Sequence, residues 1–454
     1  MNSLPELQRK YFNKNHTRPV EFRIQQLKKL KQLLKTNERV LYDAIYADFK
    51  KSDFDIYLTE FAVLENEIDV AIKDVSRWAR IKKVRTNMVN VPARSYIMAE
   101  PLGVCLIIGA WNYPVNLTLT PLVSAIAAGN TVILKPSEMT VHTSAALAHL
   151  INDHFDPAFL KVIEGGVEIT SSLLEEKFDK IFFTGSVSVG KIVYQAAAKH
   201  LTPVTLELGG KSPVIVEKDA NLSMTARRVV WAKFLNAGQT CIAPDYILVH
   251  QKVEREFLEK LKTEIQNSDF SLDNGNYAQI INGKSLNRLL GLVYQNKIYF
   301  GGNADIEQRT LSPTILSPVA PEDKIMEEEI FGPILPVIPY DHLESAITII
   351  KSKPKPLSLY LFTESNAVRK KVLNEISFGG GAVNDAVMQF SNSRLPFGGV
   401  GNSGIGSYHG KAGFITFSHF KSILDKPTWV EPNLKYYPHT SLKLKLIKFA
   451  MRLK

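Results

Sequence analysis

The residues most able to do chemistry in this chain of 454 residues stand in a few short polar segments. Cys241 closes Asn236-Ala237-Gly238-Gln239-Thr240-Cys241, a small and polar loop, whereas Cys105 lies in the apolar run Gly-Val-Cys-Leu-Ile-Ile. A structural cysteine favours the second setting, so Cys105 reads as core and Cys241 as a candidate nucleophile. Glu207 sits between two leucines at a strand end, just before Gly209-Gly210. Burial there raises a carboxyl pKa toward what a general base needs at neutral pH. Asn112, in Ala110-Trp111-Asn112-Tyr113-Pro114, follows a strand-like run. Its amide either donates to an oxyanion or caps a turn ahead of a helix.

A second group of residues suits phosphate and ribose. Leu134-Lys135-Pro136-Ser137-Glu138 ends a strand, where Lys135 and Glu138 either reach a ribose or form a helix-capping turn. Gly185 to Lys191 nearly matches a P-loop, but Ile192 occupies the position whose hydroxyl would hold magnesium, which argues against an NTPase. What remains is Gly185 and Ser186 opening a helix. That offers free N–H groups to an anion such as pyrophosphate, or packs helix on strand through small residues. Gly399, Gly401 and Gly404 satisfy G-x-G-x-x-G literally, yet Pro396 and Phe397 precede them rather than a strand, so a tight loop is expected. Two cysteines form neither a disulfide framework nor a four-thiolate zinc site, and no other metal-ligand cluster is expected.

These segments need elements to hold them. Leu27, Leu30 and Leu34 share a helical face with Ile24 and Leu33, and Leu64, Ile68, Ala71, Val75 and Trp78 repeat the spacing, so the first eighty residues read as helices. Residues 87–100 carry β-branched residues and Pro92 without helical period, which predicts an edge ribbon. Apolar strands at 103–108, 131–134, 160–163 and 180–183 then alternate with helical sequence, and Pro114 is expected in the first turn of a helix. A second cycle follows with strands at 214–216, 246–249, 334–338, 357–362 and 381–383. The fold class is therefore α/β, with two doubly wound domains, the first Rossmann-like.

Net charge is +10, but six basic residues and no acid fall in the last twenty positions, so the body carries an ordinary balance and nucleic acid is not an expected partner. The longest nearly apolar run, residues 102–111, is half of what a membrane-spanning helix needs, and the segment MNSLPELQRK lacks the apolar core of a secretory signal. The expectation is a soluble cytoplasmic protein. Leu442, Leu446, Phe449 and Leu453 share one face of a basic tail, which suits either packing on the body or lying at an anionic membrane surface.

Five motifs in order, Trp111-Asn112-Tyr113-Pro114, Phe183-Thr184-Gly185-Ser186, Leu206 to Lys211, Gly238 to Cys241 and Glu329-Ile330-Phe331-Gly332-Pro333, resemble the aldehyde dehydrogenase superfamily. The resemblance runs from near residue 10 to residue 420. Leu395 to Gly404, with Tyr408-His409-Gly410-Lys411 and Phe417-Ser418-His419, is similar to its class 3, fatty-aldehyde branch. It implies Cys241 as nucleophile, Glu207 as general base, and Asn112 with the Cys241 N–H as oxyanion hole. It implies NAD, or NADP, held by Lys135 and Glu138 at the ribose, by Gly185, Ser186 and Gly190 at the pyrophosphate, and by Glu329 and Phe331 at the nicotinamide. Val187 departs from the family's usual threonine there, which removes a hydroxyl near the phosphates. The implied organisation is a cofactor domain at 1–84 and 106–204, a catalytic domain at 205–398, bridging elements of a homodimer at 85–105 and 399–434, and a tail at 435–454.

The implied reaction oxidises an aldehyde, medium- or long-chain aliphatic or aromatic, to its acid through a cysteine thiohemiacetal and thioester. A coenzyme A-acylating relative characteristically lacks the glutamate matching Glu207, and a non-enzymatic relative would have lost the cysteine or the glutamate; both residues are present.

Overall fold

The computed structural model describes residues 3–452. Helices Leu4–Asn13, Val20–Thr36, Glu38–Phe49 and Asp53–Ile56 come first, and the last runs through a wide turn, Tyr57–Phe61, into Ala62–Trp78. Leu27, Leu30, Leu34, Leu64, Ile68, Val75 and Trp78 are buried in one apolar cluster that includes Cys105 and Ile107. The helical stripes thus cover one face of the first sheet, as their spacing predicts. Cys105 is core.

A ribbon follows, β1 (Lys82–Val84) antiparallel to β2 (Arg94–Pro101). Then come β3 (Val104–Ile108), β4 (Thr131–Lys135), β5 (Leu160–Val162), β6 (Lys180–Thr184) and β7 (Val204–Glu207), parallel in the order β7-β6-β3-β4-β5. The chain moves outward from β3 to β5 and then crosses back to β6. The crevice between the carboxyl ends of β3 and β6 is therefore a topological switch point, the place where such sheets take ligands.

The second sheet uses β8 (Pro213–Val216), β9 (Tyr246–His250), β10 (Ile298–Phe300), β13 (Thr314–Leu316), β14 (Ile334–Tyr340), β15 (Ser358–Phe362) and β16 (Gly380–Val383), with a separate hairpin of β11 (Ala304–Asp305) and β12 (Thr310–Leu311). Its order is β10-β13-β14-β9-β8-β15-β16, parallel except where β10 joins β13. Its five inner strands are almost wholly buried, which is why they read as continuous apolar runs, while the edge strands β10 and β16 are half-buried. β17 (Gly404–Ile405) lies antiparallel on β7, with Gly404 opposite Glu207. β18 (Ser418–Asp425) pairs along all of β2.

Three expectations need correction. Residues 94–101 form the central strand of three, not an edge, because β18 returns from far along the chain to cover them. The boundary placed at 105/106 cuts β3, whose ladder with β4 begins at Val104. Pro114 stands ahead of its helix, Asn116–Ala128, and the Glu60 carboxylate caps that helix by accepting from the Val115 and Asn116 N–H groups. The glycine-rich segment 399–404 is a tight turn closed by pairing of Gly401 with Gly404, not a dinucleotide fingerprint.

In the tail helix Ser441–Arg452, Leu442, Leu444, Leu446, Phe449 and Met451 are exposed, while Lys443, Ile447 and Ala450 face inward beside the turn Met88–Asn90. Leu453 lies outside the described residues.

Buried Asn130 joins the first sheet to the returning strand. Its Oδ1 accepts from the Gly103 N–H, and its Nδ2 donates to the carbonyls of Ala125 and Phe417. Asn130→Ala strands two buried backbone groups, the Gly103 N–H and the Phe417 carbonyl, while the Ala125 carbonyl keeps the Gly129 and Asn130 N–H groups, and should cost about 3 kcal/mol. A lowered urea midpoint at unchanged slope checks this, and an unchanged midpoint contradicts it.

Candidate active site

A cleft of about 910 Å³ opens beyond the carboxyl ends of β3, β4 and β6 and is closed on the far side by loops of the second sheet. It brings together Asn112, Lys135, Glu138, Gly185, Ser186, Glu207, Cys241, Glu329 and Phe331. Of the residues expected at the site, Gly190 alone does not line it. A Cβ on Gly190 would meet Leu208 Cδ2 at 2.7 Å, so this glycine lets the helix Val187–Ala198 pack closely on its neighbour rather than touch a phosphate.

The cysteine loop is held in a costly shape. Asn236, Ala237 and Gly238 all have left-handed backbone, with φ of 54°, 51° and 74°. A Cβ on Gly238 would lie 2.3 Å from the Gly332 carbonyl oxygen, so only glycine lets the loop pass the turn that follows Glu329. Side chains over-determine the conformation. Asn236 Nδ2 donates to the carbonyls of Asn112 at 3.0 Å and Gln239 at 3.2 Å. Gln239 Nε2 donates to Asn236 and Gln279 carbonyls, and its Oε1 accepts from the Ile281 N–H. Strain of this kind persists only where the surroundings enforce it. It carries Cys241, partly exposed, into the cleft.

Asn112 is 3% exposed, and its Nδ2 donates to the Gln239 carbonyl at 3.1 Å. An amide carries two N–H donors, so one remains for a ligand. Tyr113 Oη and Thr240 Oγ1 are hydrogen-bonded at 2.5 Å, a second tie between the same two segments.

The acids are equally constrained. Glu207, 2% exposed, ends β7 with neither carboxyl oxygen hydrogen-bonded. Burial pushes its pKa well above the ordinary carboxylate range. Glu329 packs against Gly209, where a Cβ would come within 2.0 Å of its Oε2. Burial first, then Asp245, push Glu329 up to about 8 against the Gly210 N–H and Lys211, which favour its charge. Burial also raises the Cys241 thiol, helped by the charges of Glu329 and Glu207; its own N–H and that of Ile242 oppose them. Lys211 binds Asp245 and the carbonyls of Ile325 and Glu328, and Asp245 accepts from the Ile330 N–H, so this pair pins the segment carrying Glu329.

Lys135 Nζ donates to the Pro136 carbonyl at 2.7 Å and approaches Glu138 Oε2 at 3.3 Å. Ser186 caps the helix Val187–Ala198, accepting from the Val189 N–H. Val187, Val189 and Ile192 give the cleft an apolar flank there, while Trp111, Phe397 and Tyr408 also face it. Among the described residues, no group of three or more His, Cys, Asp or Glu side chains is placed to hold a metal ion. Sequence reasoning missed Phe397, Tyr408, Asn236 and Gln239 as site residues. Only their places inside the quoted motifs marked them.

The comparisons agree with this architecture. The aldehyde dehydrogenase family pattern matches residues 6–423. The 4,4'-diaponeurosporen-aldehyde dehydrogenase of Staphylococcus aureus is 47% identical over 96% of this chain and 96% of its own. The dimeric NADP-preferring aldehyde dehydrogenase of Mus musculus is 44% identical over 98% of this chain and 99% of its own. Among solved structures, the substrate-bound state of Staphylococcus aureus AldH superposes with a TM-score of 0.97 at 45% identity, covering 99% of this chain and 100% of that one. The Mycobacterium tuberculosis aldehyde dehydrogenase complexed with NAD+ gives 0.83 at 26% identity, covering 91% and 87%. With its nucleophile loop, buried carboxyl and switch-point cleft in one fold, the chain belongs to the aldehyde dehydrogenase family and is an oxidoreductase acting on aldehydes.

Proposed function

We propose that this enzyme oxidises apolar aldehydes, aliphatic or aromatic, to carboxylic acids through a thioester on Cys241. The observation that carries this reading is the shared cleft: one thiol, one free amide donor and one unpartnered buried carboxyl. The Cys241 thiol gives up its proton to water, its sulfur attacks the aldehyde carbon, and the aldehyde oxygen becomes an alkoxide. The free Nδ2 hydrogen of Asn112 and the Cys241 N–H receive that charge. A bound oxidised nicotinamide supplies the hydride acceptor. Glu207 then takes a proton from water, which attacks the thioester; the acid leaves and the thiol is restored. A carboxylate with no hydrogen bonds in a dry site is a strong base, which is what this step needs.

The cofactor fits the residues present. The capped helix Val187–Ala198 offers N–H groups to a pyrophosphate with Gly185 and Ser186, and Val189 and Ile192 offer apolar surface. Lys135 and Glu138 would hold the adenosine ribose, and Glu329 with Phe331 the nicotinamide ribose and ring. NAD is favoured over NADP because Glu138 would repel a 2′-phosphate, while Lys135 already donates to Pro136. The NADP-preferring mouse relative supports NADP as an alternative. Trp111, Phe397 and Tyr408 support an apolar substrate, as does the carotenoid-type aldehyde in the name of the Staphylococcus aureus relative.

Glu207→Gln should give one burst of reduced cofactor equal to the enzyme concentration, then slow turnover, because its thioester persists. Cys241→Ala should give neither burst nor turnover. A normal steady-state rate in Glu207→Gln removes the base role, and turnover by folded Cys241→Ala removes the nucleophile.

A homodimer is proposed from the long β2–β18 ribbon and the name of the dimeric mouse relative. Sedimentation should give twice the 50.9 kDa chain mass at micromolar concentration; a monomer contradicts it. A reducing, cytoplasmic setting suits a free catalytic thiol.

The tail is proposed to touch an anionic membrane surface. Its leucines and Phe449 are exposed, and Lys445, Lys448 and Arg452 form a basic side beside them. Flotation should show binding to anionic and not neutral vesicles, weakened by salt and lost on deletion after Ser441. No binding at low salt contradicts the contact.

A further inference from the structure

Lys51 and Glu60 belong to no step described above, yet their side chains are 1% and 0% exposed, with charged atoms 3.8 Å apart. Their other contacts lead to one loop. Lys51 Nζ donates to the Asn112 carbonyl at 3.0 Å. Glu60 Oε2 accepts from the Val115 N–H at 2.8 Å and the Asn116 N–H at 3.1 Å. Asn116 Nδ2 returns to the Thr59 carbonyl at 3.0 Å. The ion pair therefore grips residues 112–116 at both ends. Lys51 Nζ also lies 4.5 Å from the ring centres of Phe49 and Tyr113, so the packing leaves the ammonium little room to swing away.

Burying two charges is expensive, and well-packed apolar residues often replace such a pair without loss of stability. A pair like this is better explained by what it orients. Here that is a single peptide. The Asn112 carbonyl takes one donor from Lys51 and one from Asn236 of the cysteine loop, and its own amide takes the remaining direction into the cleft.

We propose that Lys51, held by Glu60, is a positioning residue for the oxyanion hole, fixing the Asn112 peptide so that its free Nδ2 hydrogen meets the aldehyde oxygen. The inference rests on the oxyanion role proposed for Asn112. Misplacing such a donor by about 1 Å can cost about 100-fold in rate. Asn236 and Glu60 still hold the loop when Lys51 is removed, so orientation is lost before fold.

The test is a double-mutant cycle on kcat/KM for aldehyde, with alkylation of Cys241 by iodoacetamide as a control for an intact nucleophile loop. Asn112→Ala should lose about 100- to 1,000-fold, the range for an oxyanion donor. Lys51→Met should lose about 10- to 100-fold, with cofactor KM and alkylation rate unchanged. Added to Asn112→Ala, Lys51→Met should cost less than about twofold more, because nothing remains to be positioned. The inference is overturned if Lys51→Met retains kcat/KM within about twofold, or if its loss multiplies in full with that of Asn112→Ala. Full activity of Asn112→Ala removes the oxyanion reading, and this inference with it. If Lys51→Met does not fold, Lys51→Met/Glu60→Gln leaves no lone buried charge and is read in the same cycle.

Discussion

Cys241 and Asn112, the proposed nucleophile and oxyanion donor, come from different sheets, and one carbonyl oxygen ties them together. Asn112 leaves β3 of the first sheet, and Cys241 enters the second sheet just before β9. The Asn112 carbonyl accepts Asn236 Nδ2, while the Asn112 amide donates to the Gln239 carbonyl, so each segment supplies a donor to the other. Three residues of left-handed backbone then follow from the need to bring Asn236 to that carbonyl and still aim Cys241 at the cleft. The strain is local, of order 1–3 kcal/mol per residue, and is offset by hydrogen bonds that form only in this shape.

Burial disfavours charge on the three titratable groups that share the inner part of the cleft. Glu207, Glu329 and Cys241 are all pushed toward their neutral forms, with burial as the largest cause for each. Neutral groups in a dry site have a use. The alkoxide proposed to form beside them would find the Asn112 donor and a backbone N–H, and a fixed dipole acts strongly where water does not screen it. The Cys241 thiol pays for this in nucleophilicity at rest. In the proposed mechanism it gains reactivity only as its proton leaves, and the backbone N–H groups of Cys241 and Ile242 are what favour the thiolate there.

Much of this was legible before any coordinates. Strands with buried ladders announce themselves as apolar runs, and β3, β4, β6, β9 and β15 fall within a residue or two of their expected ends. Glu207 and Asn112 stand out as polar residues at the ends of apolar strands, and Cys241 as a cysteine in a small, polar loop rather than an apolar run. Non-local geometry was not legible. No local pattern says that β18 covers β2, or that Glu60 rather than Pro114 starts the helix at Asn116. The resemblance implies Gly190 at the pyrophosphate, but a glycine there suits close packing as well, and the position of Leu208 separates the two. Lys51 sits in a charged stretch, Lys50-Lys51-Ser52-Asp53, that reads as solvated surface, and nothing local pairs it with Glu60 nine residues on.

The two sheets also contribute by opposite ends. The first follows the rule for doubly wound folds: Asn112, Lys135 and Gly185 all leave the carboxyl ends of parallel strands at or beside the switch between β3 and β6. The second sheet presents the loops that precede β8, β9 and β14, bearing Gly209, Cys241 and Glu329. Carboxyl ends offer helix N-termini, which suit the phosphates of a cofactor. The loops before β9 and β14 instead bring Cys241 and Glu329 in from the other side, with Lys211 pinning the segment that carries Glu329. Facing one sheet's carboxyl ends with the other's amino ends thus sets the capped helix Val187–Ala198 and the loops bearing Cys241 and Glu329 on opposite walls of one cleft.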